Sequence, residues 1–332
     1  MPTSLQHLHS YDKLKTLSDP RRLSILRWLM RSPATLSQLG RQFGEHPAWI
    51  RHHIKQLEQA GLVEMSDVQM TSRYVEKYYT ARASAFFLQE LLLPESLPGK
   101  PVVIISGSHD LALEALTRLA SSALDVIVLP IGSLDGLIAL RQGFCQIAGC
   151  HLLDPVHGEY NTSYVSHIFP DQPMSLFTLA HRQQGLLVAP GNPKGILSIY
   201  DLPRQDVTMI NRNPGSGTRL WLDHQLKRLG IPAAQVQGYD RLANTHTDVA
   251  RAILQGHADV GLGIQAAALA DHLDFIPLFH ERFDLVMPIE TLNEPALSPL
   301  FDHLTQPAFH RQMQSLGGYD TSQSGKLSEV RL

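Results

Sequence analysis

Long apolar runs are missing from this chain of 332 residues. No window approaches the roughly 18 uninterrupted apolar residues of a membrane-spanning helix, so no transmembrane segment is expected. Nor does the start, MPTSLQH, carry a basic stretch followed by an apolar core. No secretory signal is read there, and a cytoplasmic location is expected. Cysteine is scarce: Cys145 and Cys150 are the only two, both inside the apolar stretch FCQIAGCHLL. They make neither a disulfide framework nor a zinc pattern, and read as small buried hydrophobes of a reducing compartment. Charge of one sign is not in great excess either, at a net −3, and with 43% hydrophobic residues the chain has enough apolar material to build ordinary globular cores.

That small net charge is unevenly placed. Residues 1–82 hold 12 Lys and Arg against 7 Asp and Glu, a surplus of five positive charges, which leaves about eight negative charges on the rest of the chain. A basic head on an acidic body fits a nucleic-acid-binding domain joined to a different one, and the length suits two domains.

Within the head, apolar residues at Leu14, Leu17, Leu23, Ile25, Leu26, Leu29 and Met30 follow a helical period, interrupted at Ser18-Asp19-Pro20. Asp19 suits an N-cap and Pro20 the first turn of a new helix. A short helix starts near Thr35. A longer one runs from Pro47 to a natural stop at Gly61, with Ile50, Ile54 and Leu57 inward and Arg51, His52 and Lys55 on the opposite side. Two strands of a hairpin follow, around residues 62–65 and 73–79. The order resembles the ArsR-like winged helix-turn-helix family, carried by LSDPRRLSILRWL, TLSQLGRQFG, WIRHHIKQLEQAGLV and the wing ending in KYYTA, over residues 10–82. The resemblance implies a recognition helix in the major groove of double-stranded DNA. Arg51 can donate twice to a guanine and His52 can reach a base or a phosphate. Lys55, Arg73 and Lys77 are placed for phosphates. A solvated helix face is the alternative for each. Metal-sensing members of that family often carry a cysteine pair near this helix. Here no cysteine precedes Cys145, so no metal site is expected.

Residues 83–100 read as a linker helix, ASAFFLQELLL, followed by Pro94, Pro98 and Gly99. Beyond it, continuous apolar strands alternate with helices: PVVII then LALEALTRLASS, DVIVLP then LIALRQG, QIAGCHLL, VTMI then LWLDHQLKRLG, a strand near Val236 then HTDVARAILQG, and ADVGLGI. This predicts a mainly parallel α/β sheet, and the restart after residue 200 predicts two lobes with a cleft. Small polar residues recur where strands end: Ser106 and Ser108, Ser133, Ser216 and Thr218. Ligands of open α/β sheets bind at such ends, where helix N-termini offer free N–H groups to an anion. Arg212 and Arg219 can supply positive charge, and His109, His151, Tyr160, Asn161 and His246 lie near strand ends. Helix capping is the alternative role for each hydroxyl and a structural ion pair for each arginine.

The stretch 101–318 is similar to the periplasmic-binding-protein-like domain of molybdate- and tungstate-linked proteins, a type II solute-binding fold. The similarity rests on SGSHD, IGSLDGLIALRQGFCQIAGCHLLDPVHGEYN, QQGLLVAPGNPKGI, INRNPGSGTR, THTDVARAILQGHADVGLGI and FIPLFHERFDLVMP. It implies a small-ligand sensor, with molybdate or tungstate as effector, or a molecule related to the molybdenum cofactor. The expected fold class is therefore an α+β winged-helix head on a two-lobed α/β domain over residues 101–320, with residues 321–332 as a flexible tail. The expected protein is a homodimeric, DNA-binding regulator sensing an oxyanion through Ser106, Ser108, His109, Ser133, His151, Arg212, Ser216, Thr218, Arg219 and His246. A protein or enzyme handling a cofactor intermediate is the alternative. No catalytic residue, resident cofactor or membrane partner is expected: NPGSGTR lacks the Lys-Ser/Thr of a Walker A loop, and no nucleophile–base pairing stands out.

Overall fold

The computed structural model describes residues 5–8, 11–70, 75–88 and 99–330. The chain divides into two compact units, Met1–Pro94 and Glu95–Leu332. Among the described residues, no helix is long and apolar enough to cross a membrane.

In the first unit, strand β1 (Leu5–Leu8) is followed by helices α1 (Tyr11–Leu17) and α2 (Pro20–Leu29). Asp19 caps α2 by accepting from the Arg21 N–H, with Pro20 at the first position, because proline fits where no amide donor is needed. After β2 (Ala34–Thr35), α3 (Leu36–Phe43) opens with a reciprocal box between Thr35 and Gln38 and closes at Gly44, φ 68°. Helix α4 (Pro47–Gln59) begins at the His46 cap. Strands β3 (Val63–Met70) and β4 (Val75–Ala81) form the wing, with β2 on the far side of β4. Ile25, Leu26, Leu29, Leu39, Ile50, Ile54 and Leu57 make one core beneath these helices.

Within the expected linker helix of residues 83–100, the described residues Ala85–Leu88 are extended instead. They form strand β5, paired parallel to β1 with Leu5 opposite Ala85. The Phe-Phe pair favours an extended backbone once a partner strand is available, and Phe86 packs on the core of the head. Residues 89–98 lie outside the described ones.

The second unit opens with β6 (Val102–Gly107), α5 (Leu111–Ala120), β7 (Asp125–Pro130), α6 (Ser133–Arg141), β8 (Ile147–Cys150) and α7 (Thr162–Ile168). It continues with β9 (Met174–Val188), β10 (Met209–Arg212), α8 (Gly217–Arg228), β11 (Leu242–Ala243), α9 (His246–Leu254), β12 (Val260–Ile264), α10 (Gln265–Ala270) and β13 (Asp274–Pro288). Helices α11 (Ile289–Leu292), α12 (Ser298–Asp302) and α13 (Pro307–Leu316) and strands β14 (Tyr319–Asp320) and β15 (Leu327–Val330) complete it. The sheet runs β11-β10-β12-β9-β13-β8-β6-β7, with β14 and β15 also on β9.

Helices cover both faces of each half. In the β6–β7–β8 half, Val103 and Ile105 meet residues of α5 and α13, while Ile104 meets α6 and α7 on the other side. Burial on both faces is why these strands read as unbroken apolar runs. In the other half, Met209, Val260 and Leu262 pack on α8, and Val249 and Ile253 of α9 pack with Ala267 of α10 and Leu187. The result is a curled mixed sheet in two lobes, a type II solute-binding architecture.

Three expectations change. The sheet is mixed rather than mainly parallel: β9 and β13, each 15 residues long, run antiparallel to each other along almost their whole length. No strand forms at Val236, which instead follows a short 3-10 turn, Ala233–Gln235, with its side chain buried in the core. The expected tail is structured: Leu327–Val330 pairs with β9, Val330 opposite Met174, and Ser324 Oγ donates to the Leu179 carbonyl at 2.6 Å. The edge of β9 left open by β13 takes this last strand.

Candidate functional site

Strands β9 and β13 are shared by both lobes. The end of β9, Gln184 to Val188, pairs with β12 in one lobe. The far part of β13, Asp284 to Val286, pairs with β8 in the other. Between these pairings lies a crossover, flanked by register shifts at Pro277/Phe279 and Phe283/Asp284 of β13. The residues of this crossover are polar and buried: Arg182, Gln184, Glu281 and Asp284 are each at most 2% exposed.

Arg182 and Glu281 are opposite each other in the ladder, and Arg182 Nε donates to Glu281 Oε1 at 2.5 Å. Arg182 Nη1 donates to Asp110, which also accepts from the Tyr319 hydroxyl and caps α5 through the Leu113 N–H. Glu281 Oε2 faces His151 Nδ1 at 2.8 Å, and His151 Nε2 faces Ser108 Oγ at 2.9 Å. Gln184 Nε2 donates to Glu281 Oε1 at 2.7 Å and to Thr218 Oγ1 at 3.1 Å. One network thus joins both crossover strands to α5 and β8 of one lobe and to α8 of the other.

Its electrostatics follow from burial and partners. Burial pulls the Glu281 pKa up, but Arg182 and His151 outweigh it and hold it down at about 2. Against the burial that would lower it, Glu281 and Asp110 keep the Arg182 pKa above its ordinary value. Burial lowers the pKa of His151 despite Glu281, so the ring is neutral, donates from Nδ1 to the carboxylate and accepts from Ser108 at Nε2.

Arg212, at the end of β10, is fully buried. It donates to the carbonyls of Ala243 and Asn244 and to His246 Nδ1 at 3.0 Å. Among the described residues no carboxylate lies within 4.0 Å of it, and burial, then the charge of Arg182, pushes its pKa down to about 9. His246 opens α9. Burial and the neighbouring Arg212 push its pKa well below the ordinary value. Several fully enclosed polar atoms here have no partner: Ser106 Oγ, His109 Nδ1, Arg182 Nη2, Gln184 Oε1 and His246 Nε2. The His109 and His246 rings are 6.2 Å apart.

The two lobes meet through helix N-termini. The Leu134 N–H in α6 donates to the Gly215 carbonyl before α8, and Asn213 Nδ2 donates to the Ile131 carbonyl. The first turn of α8 sits against His151: a Cβ at Gly217 would lie 2.5 Å from the His151 carbonyl oxygen.

The residues expected from sequence take several places, with Ser106 Oγ enclosed at the end of β6 without a partner. Ser108, His151 and Thr218 belong to the crossover network, while Arg212 and His246 form a pair held near it. Ser133 Oγ accepts from the His151 N–H, and His109 Nε2 bonds Glu114 at 2.8 Å. Ser216 caps α8, and Arg219 is spent on Asp223 and stacked 3.9 Å over Tyr239. Of the secondary candidates, Tyr160 OH donates to the His280 carbonyl and Asn161 Nδ2 to Asp284. Sequence reading missed Arg182, Gln184 and Glu281. Their signal is a polar run, HRQQ in β9 and HER in β13, inside otherwise apolar strands.

In the head, Arg51, His52 and Lys55 are exposed along α4, and Lys77 is exposed on β4. Arg51 and Lys77 line one groove of about 400 Å³ with Thr35, Ser37, Pro47 and Tyr79, between the helix and the wing. Arg73 lies outside the described residues. His53 is buried under Trp49, ring centroids 4.0 Å apart.

Residues 114–305 match the PBP superfamily domain model and residues 17–66 match a helix-turn-helix domain model. With its own fold of two lobes and two shared strands, the chain belongs to the PBP superfamily domain family, joined to a helix-turn-helix head. It is 38% identical over 231 residues to the uncharacterized protein YvgK of Bacillus subtilis (strain 168), covering 69% of this chain and 74% of that one. Among solved structures it is similar to an ABC-type phosphate transport receptor from Vibrio cholerae, at 17% identity and TM-score 0.41, over 65% of this chain and 98% of that one. It is also similar to the tungstate ABC transporter from Geobacter sulfurreducens, at 12% identity and TM-score 0.46, over 64% and 98%.

Proposed function

We propose that this protein is a ligand-responsive, DNA-binding transcriptional regulator whose cleft takes a small oxyanion. The observation that carries the ligand class is Arg212, a fully buried guanidinium with no carboxylate within 4.0 Å among the described residues, so that the more distant Glu281 and Asp248 offset its burial only in part. Burying such a charge is costly unless a counter-charge arrives. Beside it, Arg182 Nη2 and His246 Nε2 are enclosed without partners, and α8 and α9 direct their N-termini to the same region. Molybdate and tungstate, which the sequence resemblance implies, belong to this class together with sulfate, phosphate and arsenate.

The reading of the head rests on the exposed Arg51, His52, Lys55 and Lys77. The ligand acts by holding the lobes closed, and it shifts DNA affinity only so far as it binds the two forms unequally. In a homodimer, closure changes how two heads address two half-sites. The test combines calorimetric titration of the full chain with the five oxyanions and DNA-binding assays in the presence and absence of the one that binds. Binding of an oxyanion that changes DNA affinity is the expected result. Identical DNA binding with and without every oxyanion overturns the reading.

A further inference from the structure

We infer that the cleft selects an oxyanion that still carries a proton, such as hydrogen phosphate or hydrogen arsenate, over fully deprotonated anions of the same size. The inference rests on the oxyanion reading above and narrows it. Hydrogen-bond polarity around the crossover is fixed by groups that cannot change role. Arginine only donates, so His246 Nδ1, bonded to Arg212 Nη1, is the acceptor and His246 Nε2 carries the hydrogen. Arg182 Nη2 is a donor for the same reason. These two enclosed atoms seek acceptors on the ligand, which any oxyanion provides.

Gln184 is of the opposite polarity. Its Nε2 must face Glu281 Oε1, because turning the amide would set its oxygen against an ionised carboxylate. Gln184 Oε1 is therefore an enclosed acceptor without a partner. The carboxylates nearby do not share this need, since each of their oxygens already has a donor: Glu281 has Arg182, Gln184 and His151, and Asp110 has Arg182, Tyr319 and the Leu113 N–H. An anion without a proton would set lone pairs against Gln184 Oε1. One bearing an O–H completes it, and an enclosed acceptor left unmade costs about tenfold or more in affinity.

The test is calorimetric titration of the full chain at pH 7 with phosphate, arsenate, sulfate, molybdate, tungstate and monofluorophosphate. The last replaces the P–OH of hydrogen phosphate by P–F at equal charge. Phosphate and arsenate are expected to bind at least about tenfold tighter than the other four. In Gln184→Met the ratio of phosphate to monofluorophosphate affinity is expected to approach one, whereas a purely structural role for Gln184 would weaken both and leave the ratio unchanged. Equal or tighter binding of monofluorophosphate, molybdate, tungstate or sulfate by the unaltered protein overturns the proton requirement and leaves the oxyanion reading standing. Binding of none of the six overturns both.

Discussion

Arg182 and Glu281 face each other across the two strands that both lobes share, joined through Nε and Oε1 at 2.5 Å. Each then reaches into the β6–β8 lobe, Arg182 to Asp110 and Glu281 to His151, while Gln184 carries the link to Thr218 in the other. A hinge built this way ties the packing of both lobes to one buried ion pair. Such pairs add little over an apolar replacement, yet removing one partner is expensive.

The first prediction follows from that asymmetry. In Glu281→Gln, Arg182 keeps only Asp110 as counter-charge, and urea unfolding at pH 7 should show a loss of about 3–5 kcal/mol. The pH dependence has a definite sign. Glu281 titrates near 2 in the folded chain against an ordinary 4.5. Its stabilisation is therefore complete above pH 4.5 and drains away as pH falls toward 2. His151 and His246, held neutral by burial, begin to cost stability once pH drops below the ordinary histidine value. The variant should keep the histidine part of the decline and lose the steep part below pH 4.5. An unchanged acid limb in the variant would remove Glu281 from its cause.

Ligand affinity should depend on Arg212 more than on Arg219. Arg219 is already paired with Asp223 and stacked on Tyr239, whereas Arg212 has only carbonyls and a neutral imidazole. Arg212→Met is expected to weaken oxyanion binding by more than about thirtyfold, the scale of losing a buried charged partner. Arg219→Met should change it by less than about threefold while lowering Tm. Calorimetry on both variants checks the ranking, and equal losses would refute it.

The head and the β–α alternation of the body were legible because their signals are local: caps at Asp19 and Thr35, the stop at Gly61, and doubly buried strands such as Val102–Gly107. The long β9 and β13 were not, because their centres break the pattern. His181 to Gly185 and Pro277 to Arg282 look like loops until the partner strand is known, and the Arg182–Glu281 contact spans 99 positions. The candidate site was half legible for the same reason. Hydroxyls at strand ends advertise themselves as cap residues, and several are also in the network. A buried arginine in mid-strand carries no sign of its counter-charge.

Closure of the lobes gives a steric test. Gly217 opens α8 with His151 immediately across the contact, and an added Cβ would meet the His151 carbonyl oxygen at 2.5 Å and Nδ1 at 2.6 Å. Both opposing atoms are held, the first by the backbone and the second by Glu281. Gly217→Val should therefore part the lobes rather than unfold either one, since each has its own apolar core. Small-angle scattering should show a larger radius of gyration that oxyanion no longer reduces, with affinity down at least about tenfold. Retained affinity would mean that the α8–His151 contact is not part of the bound form.

DNA binding separates two roles that the groove beside the wing brings together. Arg51, near the start of α4, is proposed to read a base edge, and its loss in Arg51→Ala should cost about 1–3 kcal/mol on a specific site and little on random DNA. Lys77 is exposed on β4 and is proposed to contact a phosphate. Lys77→Ala should weaken binding to all sequences alike and lower the slope of log affinity against log salt by about one unit. Fluorescence anisotropy on specific and scrambled duplexes, over a series of salt concentrations, distinguishes them. If Lys77→Ala changed sequence preference while leaving the salt slope intact, the wing would be reading bases and the assignment would have to be exchanged.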